Sequence, residues 1–264
     1  MDEVTKLFNM EGKTIFITGG AGILGPMHAE ILADAGANIV LVDVSDNLEK
    51  EVERIRKEKH CEIIGIKADI SNENDVDNAV KTSIDKFGGI DVLINNAATK
   101  SEHFFEVFEN FPLKDWNKVL DVNLTGMFIC AKKIGSYMAE KGGGVIINVS
   151  SIYGMVSPNQ NIYPQDSGIN TPAIYSASKG AVFNFTRYLA TYWAKKNIRV
   201  NTITFGGVYW NQNKEFVSNY SQKTPLGRMA RREDYKGAIL FLASDASSYM
   251  TGANLVVDGG WTCW

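Results

Sequence analysis

The chain has 264 residues, 45% of them apolar and 22% charged, with a formal net charge of −3. That length suits one large α/β domain or two small ones, and the absence of any basic block argues against nucleic acid and anionic membrane as partners. The N-terminus lacks an apolar signal core, no run approaches the roughly 20 apolar residues that span a bilayer, and the scattered cysteines (Cys61, Cys130, Cys263) and histidines (His28, His60, His103) lack metal-ligand spacing.

In chain order, Thr14–Thr18 is an apolar run of strand length, followed by a cluster of glycines. Ile23–Ala35 has helical apolar spacing and stops at Gly36. Asn38–Val42 reads as a second buried strand and Asn47–Lys59 as a charged amphipathic helix. Ile63–Lys67 is a strand, Asp75–Phe87 a helix, and Ile90–Ile94 a fourth strand. After a less regular stretch, Trp116–Ala139 predicts one long helix. Strand Val145–Val149, helix Ala173–Lys195, strand Val200–Thr204, helix Asp234–Ala243 and strand Leu255–Val257 complete the series. Strands that are apolar throughout imply a sheet covered on both faces. Alternation of strand and helix implies parallel order with right-handed crossovers. The predicted fold is one α/β domain over residues 1–264, a doubly wound parallel sheet of about seven strands that binds its ligand at the strands' carboxyl ends.

The stretch Thr18-Gly-Gly-Ala-Gly-Ile-Leu-Gly25 links the first strand to the first helix. Gly19 would permit the tight turn, Gly22 the approach of backbone to a pyrophosphate, and Gly25 close packing of helix on sheet. The N–H groups at the helix start, around Ile23 and Leu24, would face the phosphates. Asp43 ends the second strand, where a carboxylate can accept from both ribose hydroxyls and would repel a 2′-phosphate. No Lys or Arg adjoins it, so NAD is expected over NADP; the plainer alternative is an Asx turn. Asp69 and Ile70 follow the third strand, in reach of an adenine. Asn95-Asn96-Ala97 follows the fourth, where small and amide residues can pass cofactor or tie strands together.

Tyr175 and Lys179 share one helix face. An ammonium beside a phenol favours phenolate, which can exchange a proton with an alcohol or carbonyl near neutral pH. Spacing alone favours a surface pair. Ser150-Ser151, directly after the Val145–Val149 strand, adds a hydroxyl at the ligand-binding edge.

Together these residues resemble a short-chain dehydrogenase/reductase of single-domain size with a Rossmann-type sheet. The resemblance runs from about Gly12 to Gly260. It rests on the glycine turn, Asp69, Asn95-Asn96-Ala97, Asp-Val-Asn123, Ser150-Ser151, Tyr175-x-x-x-Lys179, Ile198-Arg-Val-Asn201 and Val257-Asp-Gly-Gly260. It implies that Ser151 polarises the substrate oxygen, Tyr175 is the acid/base, and Lys179 lowers the tyrosine pKa and holds the nicotinamide ribose. Asn123 would position a water beside Lys179, and Gly206 and Val208 would border the carboxamide. Hydride would pass directly between substrate carbon and nicotinamide, so no metal is expected.

The pattern departs from the family in three places. The middle glycine is Gly22 where the usual form has it at Ile23, which resembles the turn of sugar-nucleotide epimerases. Phe205 replaces the usual proline after the sixth strand, and Trp210 takes the position of a threonine, suggesting an aromatic wall. Ser151 and Tyr175 lie about twice as far apart as usual, so residues 157–171, with Tyr163 and Asp166, are expected to roof the substrate pocket. Ser-Ile-Tyr-Gly154, the inserted Ile-Tyr163 and the Trp-rich end resemble dehydrogenases of bacterial surface-sugar and flagellin-modification pathways. They imply a hydroxylated, sugar-like or sugar-phosphate substrate, with Tyr163 and Trp210 beside it and Lys100, His103, Asn211 and Gln212 as further polar candidates.

The expectation is an NAD-dependent oxidoreductase of secondary alcohols, cytoplasmic, with reduced cysteines. Its long helices would pair two or four copies as a homo-oligomer, and the apolar tail would pack on a neighbour or on its own domain. The alternatives are an epimerase or dehydratase that retains NAD, and a non-catalytic NAD-binding module.

Overall fold

Each predicted apolar run becomes a strand of one sheet. The computed structural model describes residues 2–264, with the side chain of Asp166 lying outside the described residues. The strands are β1 (Thr14–Thr18), β2 (Asn38–Asp43), β3 (Ile63–Lys67), β4 (Val92–Asn95), β5 (Gly144–Ser151), β6 (Ile198–Phe205) and β7 (Asn254–Val257). They are ordered β3-β2-β1-β4-β5-β6-β7, and every neighbouring pair is parallel. Strand order reverses between β1 and β4, which opens a crevice at their carboxyl ends.

The helices are α1 (Glu3–Phe8), α2 (Gly25–Asp34), α3 (Leu48–Lys59), α4 (Glu73–Phe87), α5 (Leu113–Leu120), α6 (Met127–Lys141), α7 (Ile152–Met155), α8 (Ala173–Tyr192), α9 (Lys214–Lys223) and α10 (Lys236–Ala243). Alternate strand residues explain why the strands are apolar throughout. Ile15 and Ile17 of β1 face α2, α3 and α10, meeting Met27, Leu32, Val52 and Ile239. Phe16 faces the other way, toward α4, α6 and α8, in a cluster with Val76, Ile134 and Leu189. Each such side chain contributes about 1.5–3 kcal/mol by leaving water.

The single helix expected over Trp116–Ala139 is interrupted. Between α5 and α6, Asp121–Gly126 forms π-helical turns, which widen the hydrogen-bond ladder by one residue per bond. Apolar spacing continues through them, so periodicity alone conceals the change. Three helices were not predicted. α1 buries none of its residues, and α7 has only four. α9 did carry a signal: an Asn213 N-cap followed by Phe216, Val217 and Tyr220 on one face.

Among the described residues no helix is long and apolar enough to cross a membrane, and no group of three or more His, Cys, Asp or Glu is arranged to hold a metal ion. The tail divides: Trp261 is buried, stacked on Tyr220 with ring centroids 4.2 Å apart, whereas Trp264 stays exposed and donates to the Lys223 carbonyl.

Candidate active site

A cleft of about 760 Å³ runs along the carboxyl edge of the sheet. At one end lies the glycine turn between β1 and α2. Gly19 sits at φ +68°, and a Cβ there would come within 2.8 Å of the Ala97 Cα. A Cβ on Gly25 would collide with the Gly19 carbonyl oxygen. Both positions therefore demand glycine, and the turn is a cradle that side chains would fill. Gly22, Ile23, Leu24 and Ala97 line the cleft beside Gly19.

Asp43 ends β2 at the cleft. Its Oδ2 accepts from the Ala21 N–H at 2.9 Å and its Oδ1 from the Ser45 N–H at 2.9 Å. The Asx turn is thus present, and it also ties the carboxylate to the glycine turn. Each oxygen keeps a further lone pair for a ligand. Asp69 and Ile70 line the same end. Asp69 Oδ1 accepts from both N–H and hydroxyl of Ser71. Burial works against its charge, but the Ser71 bonds hold its pKa below the ordinary value.

Asn96 braces the turn. Its Nδ2 donates to the Thr18 carbonyl at 2.9 Å and to that of Gly19 at 3.1 Å. Its Oδ1 is therefore the acceptor facing His28 Nε2 at 3.2 Å, which assigns the imidazole proton to Nε2. Burial pushes the His28 pKa down to about 4, so the ring is neutral. His28→Leu would leave Asn96 Oδ1 unpaired and is expected to destabilise the protein by about 1–3 kcal/mol. Glutamine, which keeps a donor, should restore part of the loss. Urea unfolding of the two variants checks this; equal stability would remove the brace.

Asn95 does not line the cleft, contrary to expectation. It is buried in the sheet, where its Nδ2 donates to Asn148 Oδ1 at 2.8 Å, and Asn148 in turn donates to Thr186. Alternation along the strand sends Asn95 toward α8 and Asn96 toward the turn.

At the other end, Ser151, Tyr175 and Lys179 line the cleft together. Ser151 closes β5 and caps α7; its Oγ accepts from the Tyr153 N–H. Tyr175 and Lys179 come from the first turns of α8. Gly154 allows α7 to press against α8, since a Cβ there would lie 2.6 Å from the Lys179 carbonyl. Burial pushes the Tyr175 phenol above its ordinary pKa, and its bond to the Ser151 hydroxyl opposes this. Lys179 is buried, its Nζ donating to the Val149 carbonyl at 2.9 Å. Burial lowers its pKa to about 8. Asn123, within the π-helical turns, is fully buried and does not line the cleft. Its Oδ1 accepts from the Thr99 N–H, and its Nδ2 donates to Ser178 Oγ.

The remaining wall comes from three segments. From the stretch between Ser151 and Tyr175, Tyr163 and Thr171 reach the cleft, joined by a 2.6 Å hydroxyl contact. After β6, Gly206, Val208 and Gln212 line it, with Phe216 and Tyr220 of α9 beyond. Trp210 does not. It is half exposed, with the Arg232 guanidinium 5.7 Å from its ring centroid. Gln212 holds the loop instead, bonding Trp210 N and the Val208 carbonyl. Phe205, the replacement for proline, fills the space between Tyr235 and His28.

Lys100 lines the cleft with its ammonium over the Phe105 ring, whereas His103 is outside it, bonded to Asp115. Asn211 is exposed and outside. Sequence reasoning missed Tyr153, Phe104 and Met229, which come from irregular or short segments without usable periodicity, and Tyr220, whose helix α9 did carry a signal.

The chain is similar to known proteins over nearly its whole length. A family model described as enoyl-(acyl carrier protein) reductase matches residues 20–262. The 2-dehydro-3-deoxy-D-gluconate 5-dehydrogenase of Dickeya dadantii is 32% identical over 269 residues, covering 98% of each chain. A short-chain dehydrogenase from Leptospira borgpetersenii with bound NAD+ has a TM-score of 0.86 and 33% identity, covering 99% of this chain and 96% of its own. A gluconate 5-dehydrogenase from Burkholderia cenocepacia, in complex with NADP and tartrate, has a TM-score of 0.87 and 29% identity, covering 99% and 100%.

Proposed function

The chain belongs to the short-chain dehydrogenase/reductase family, and from that premise we propose that it moves hydride between NAD and a secondary alcohol or ketone of a sugar-type small molecule. The observation that carries this reading is the joint lining of one cleft by the glycine turn and Asp43 at one end and Ser151, Tyr175 and Lys179 at the other.

The residues present fit a nicotinamide dinucleotide. Gly19, Gly22, Ile23 and Leu24 would hold its phosphates, Asp43 a ribose, Asp69 and Ile70 the adenine, and Gly206 and Val208 the carboxamide. When bound, the nicotinamide supplies the hydride acceptor or donor. Ser151 would donate to the substrate oxygen and orient it. Tyr175 would take the alcohol proton during oxidation and return it during reduction. Lys179 would stabilise the phenolate, and Asn123, through the Ser178 and Thr99 segment, would hold the proton path behind it. Residues 157–171 would roof the substrate, with Tyr163 in contact.

The preference for NAD rests on the Asp43 carboxylate and the absence of an adjoining cation. Related structures carry both NAD+ and NADP, so the preference needs its own test. Asp43→Ala is expected to lower the NAD:NADP ratio of kcat/KM at least roughly tenfold, the worth of one charge-assisted hydrogen-bond pair. An unchanged ratio would refute the assignment. Sugar-acid substrates are favoured by the gluconate-type dehydrogenases among the relatives, by the Tyr163, Thr171 and Gln212 side chains that line the cleft, and by the sequence likeness to surface-sugar dehydrogenases. The exposed Phe128, Tyr188 and Tyr192 of α6 and α8 favour pairing of copies.

The deciding assay follows reduced-nicotinamide absorbance while polyols, sugars and sugar acids are offered with NAD. Stoichiometric NADH supports the proposal. Isomerised product without net NADH would replace it with a cofactor-retaining epimerase, and dinucleotide binding without turnover would leave a binding module.

A further inference from the structure

The loop after β4 carries Lys100, which lines the cleft beside Phe104 and Phe105. Its ammonium lies 4.9 Å from the Phe105 ring centroid and 5.8 Å from that of Phe104. Phe104 is buried, and its ring meets Tyr175 edge to face at 6.2 Å. A single aromatic ring thus stands between the cation and the phenol at the reacting end. Aromatic faces hold an ammonium without neutralising it. Acidic residues near Lys100 in the chain are engaged elsewhere. Glu102 faces Lys114, Asp115 accepts from the His103 N–H, and Glu106 accepts from the Val107 N–H. Among the described residues no carboxylate pairs with Lys100. Charge is also divided unevenly along the cleft. Among the described residues that line it, the carboxylates are Asp43 and Asp69, both at the glycine-turn end. Lys118 acts on Asp69 there, and Lys179 donates to the Val149 carbonyl. Lys100 remains as an exposed cation at the reacting end, with no described carboxylate opposite it.

We propose that Lys100 is a specificity-determining residue whose ammonium binds the carboxylate of a hydroxy acid, the carbinol of the same molecule being held by Ser151 and Tyr175. The inference rests on the reading of Ser151 and Tyr175 as the reacting end, and it names the group that selects sugar acids over neutral polyols there. Because the Phe104 ring separates Lys100 from Tyr175, the carboxylate lies several carbons along the substrate from the reacting carbinol. Among the described residues no Arg lines the cleft and no second uncommitted Lys lines this end. A lone ammonium on a flexible stem matches the single charge of a carboxylate better than a phosphate dianion. Lys100 acts by binding alone and takes no part in proton or hydride transfer. A neutral substrate forgoes the charge-assisted bond but meets no clash, so the discrimination appears in KM.

The test offers D-gluconate and D-glucitol with NAD in excess; the two differ at one end only, a carboxylate against a hydroxymethyl group. Wild type is compared with Lys100→Met, which keeps an unbranched stem against Phe105, and with Lys100→Arg, which keeps the charge. Lys100→Met is expected to lower the gluconate-to-glucitol ratio of kcat/KM by roughly 10-fold or more, through a higher KM for gluconate, and Lys100→Arg to restore part of it. Added salt should erode the wild-type ratio and leave that of Lys100→Met in place, because the ammonium is exposed. An unchanged ratio in Lys100→Met overturns the proposal, whether activity is kept on both substrates or lost on both; equal loss would make Lys100 a packing residue. A larger loss on D-glucitol 6-phosphate than on gluconate would seat a phosphate at Lys100 and overturn it as well. If wild type turns over neither gluconate nor glucitol, calorimetry of gluconate with the NADH-loaded protein still decides. Gluconate affinity that Lys100→Met lowers and Lys100→Arg keeps upholds this inference while sinking the oxidoreductase reading; absence of gluconate binding overturns the inference.

Discussion

Tyr175→Phe is expected to lower kcat/KM by roughly 10³-fold or more while leaving dinucleotide affinity within about twofold. The substitution removes one hydroxyl and keeps the ring, whose edge-to-face contact with Phe104 at 6.2 Å needs no oxygen. Without that hydroxyl nothing at the Ser151 end can take the alcohol proton, because the serine is itself a weak acid and Lys179 points its ammonium at the Val149 carbonyl. Steady-state kinetics with a titration of NAD by tryptophan fluorescence separate the two effects. Retained activity would sink the acid/base assignment, and loss of both would show that the phenol is structural.

Lys179→Met is expected to lower kcat/KM by roughly 10²- to 10³-fold and, in the absence of cofactor, to stabilise the fold at pH 7. The second half follows from burial. An ammonium whose pKa drops from 10.5 to about 8 on folding is disfavoured by its surroundings. Its removal should return on the order of 1–3 kcal/mol once the unpaired Val149 carbonyl is counted against it. The sign with pH is fixed by linkage. Between about pH 8 and 10.5 the unfolded chain holds more protons than the folded one, so wild-type stability rises with pH across that window. The advantage of the variant is therefore full below about pH 8 and fades as pH climbs toward 10.5. Urea unfolding of both proteins at pH 7 and near pH 10.5 reads it directly. A variant less stable at pH 7 would mean that the ammonium stabilises this site, contrary to the effect of its burial.

Much of the candidate site was legible before any coordinates. The glycine turn declared itself because three glycines between an apolar strand and a helix have few other uses, and Gly19 and Gly25 do occupy positions where a Cβ cannot fit. Asp43 was legible from its place at a strand end. Asn95 and Asn96 were not separable, since their difference is the direction in which a strand residue points, and one amide ties strands while the other braces the turn. Trp210 misled because a position was matched across a loop, and loops do not preserve register. Its ring lies under Arg232 outside the cleft, and Gln212 takes the inner place. The irregular segments that supply Tyr153, Phe104 and Met229 carry no periodicity from which a cleft wall can be read.

The sequence by itself determined the sheet and its two coverings, because apolar residues at every strand position leave no face for water. It also singled out the turn proposed to cradle phosphates and the four residues proposed to carry the chemistry, because those depend on residue type and order along the chain. Only the tertiary structure decided how these groups are charged and what they face. Lys179 and Tyr175 are neighbours on a helix, but their protonation depends on burial and on the carbonyl of a distant strand. The Tyr153 ring is buried only because separate segments carrying Ile162, Tyr220, Met229 and Trp261 enclose it. Periodicity is local and survives in one dimension, whereas desolvation arises from distant residues brought together.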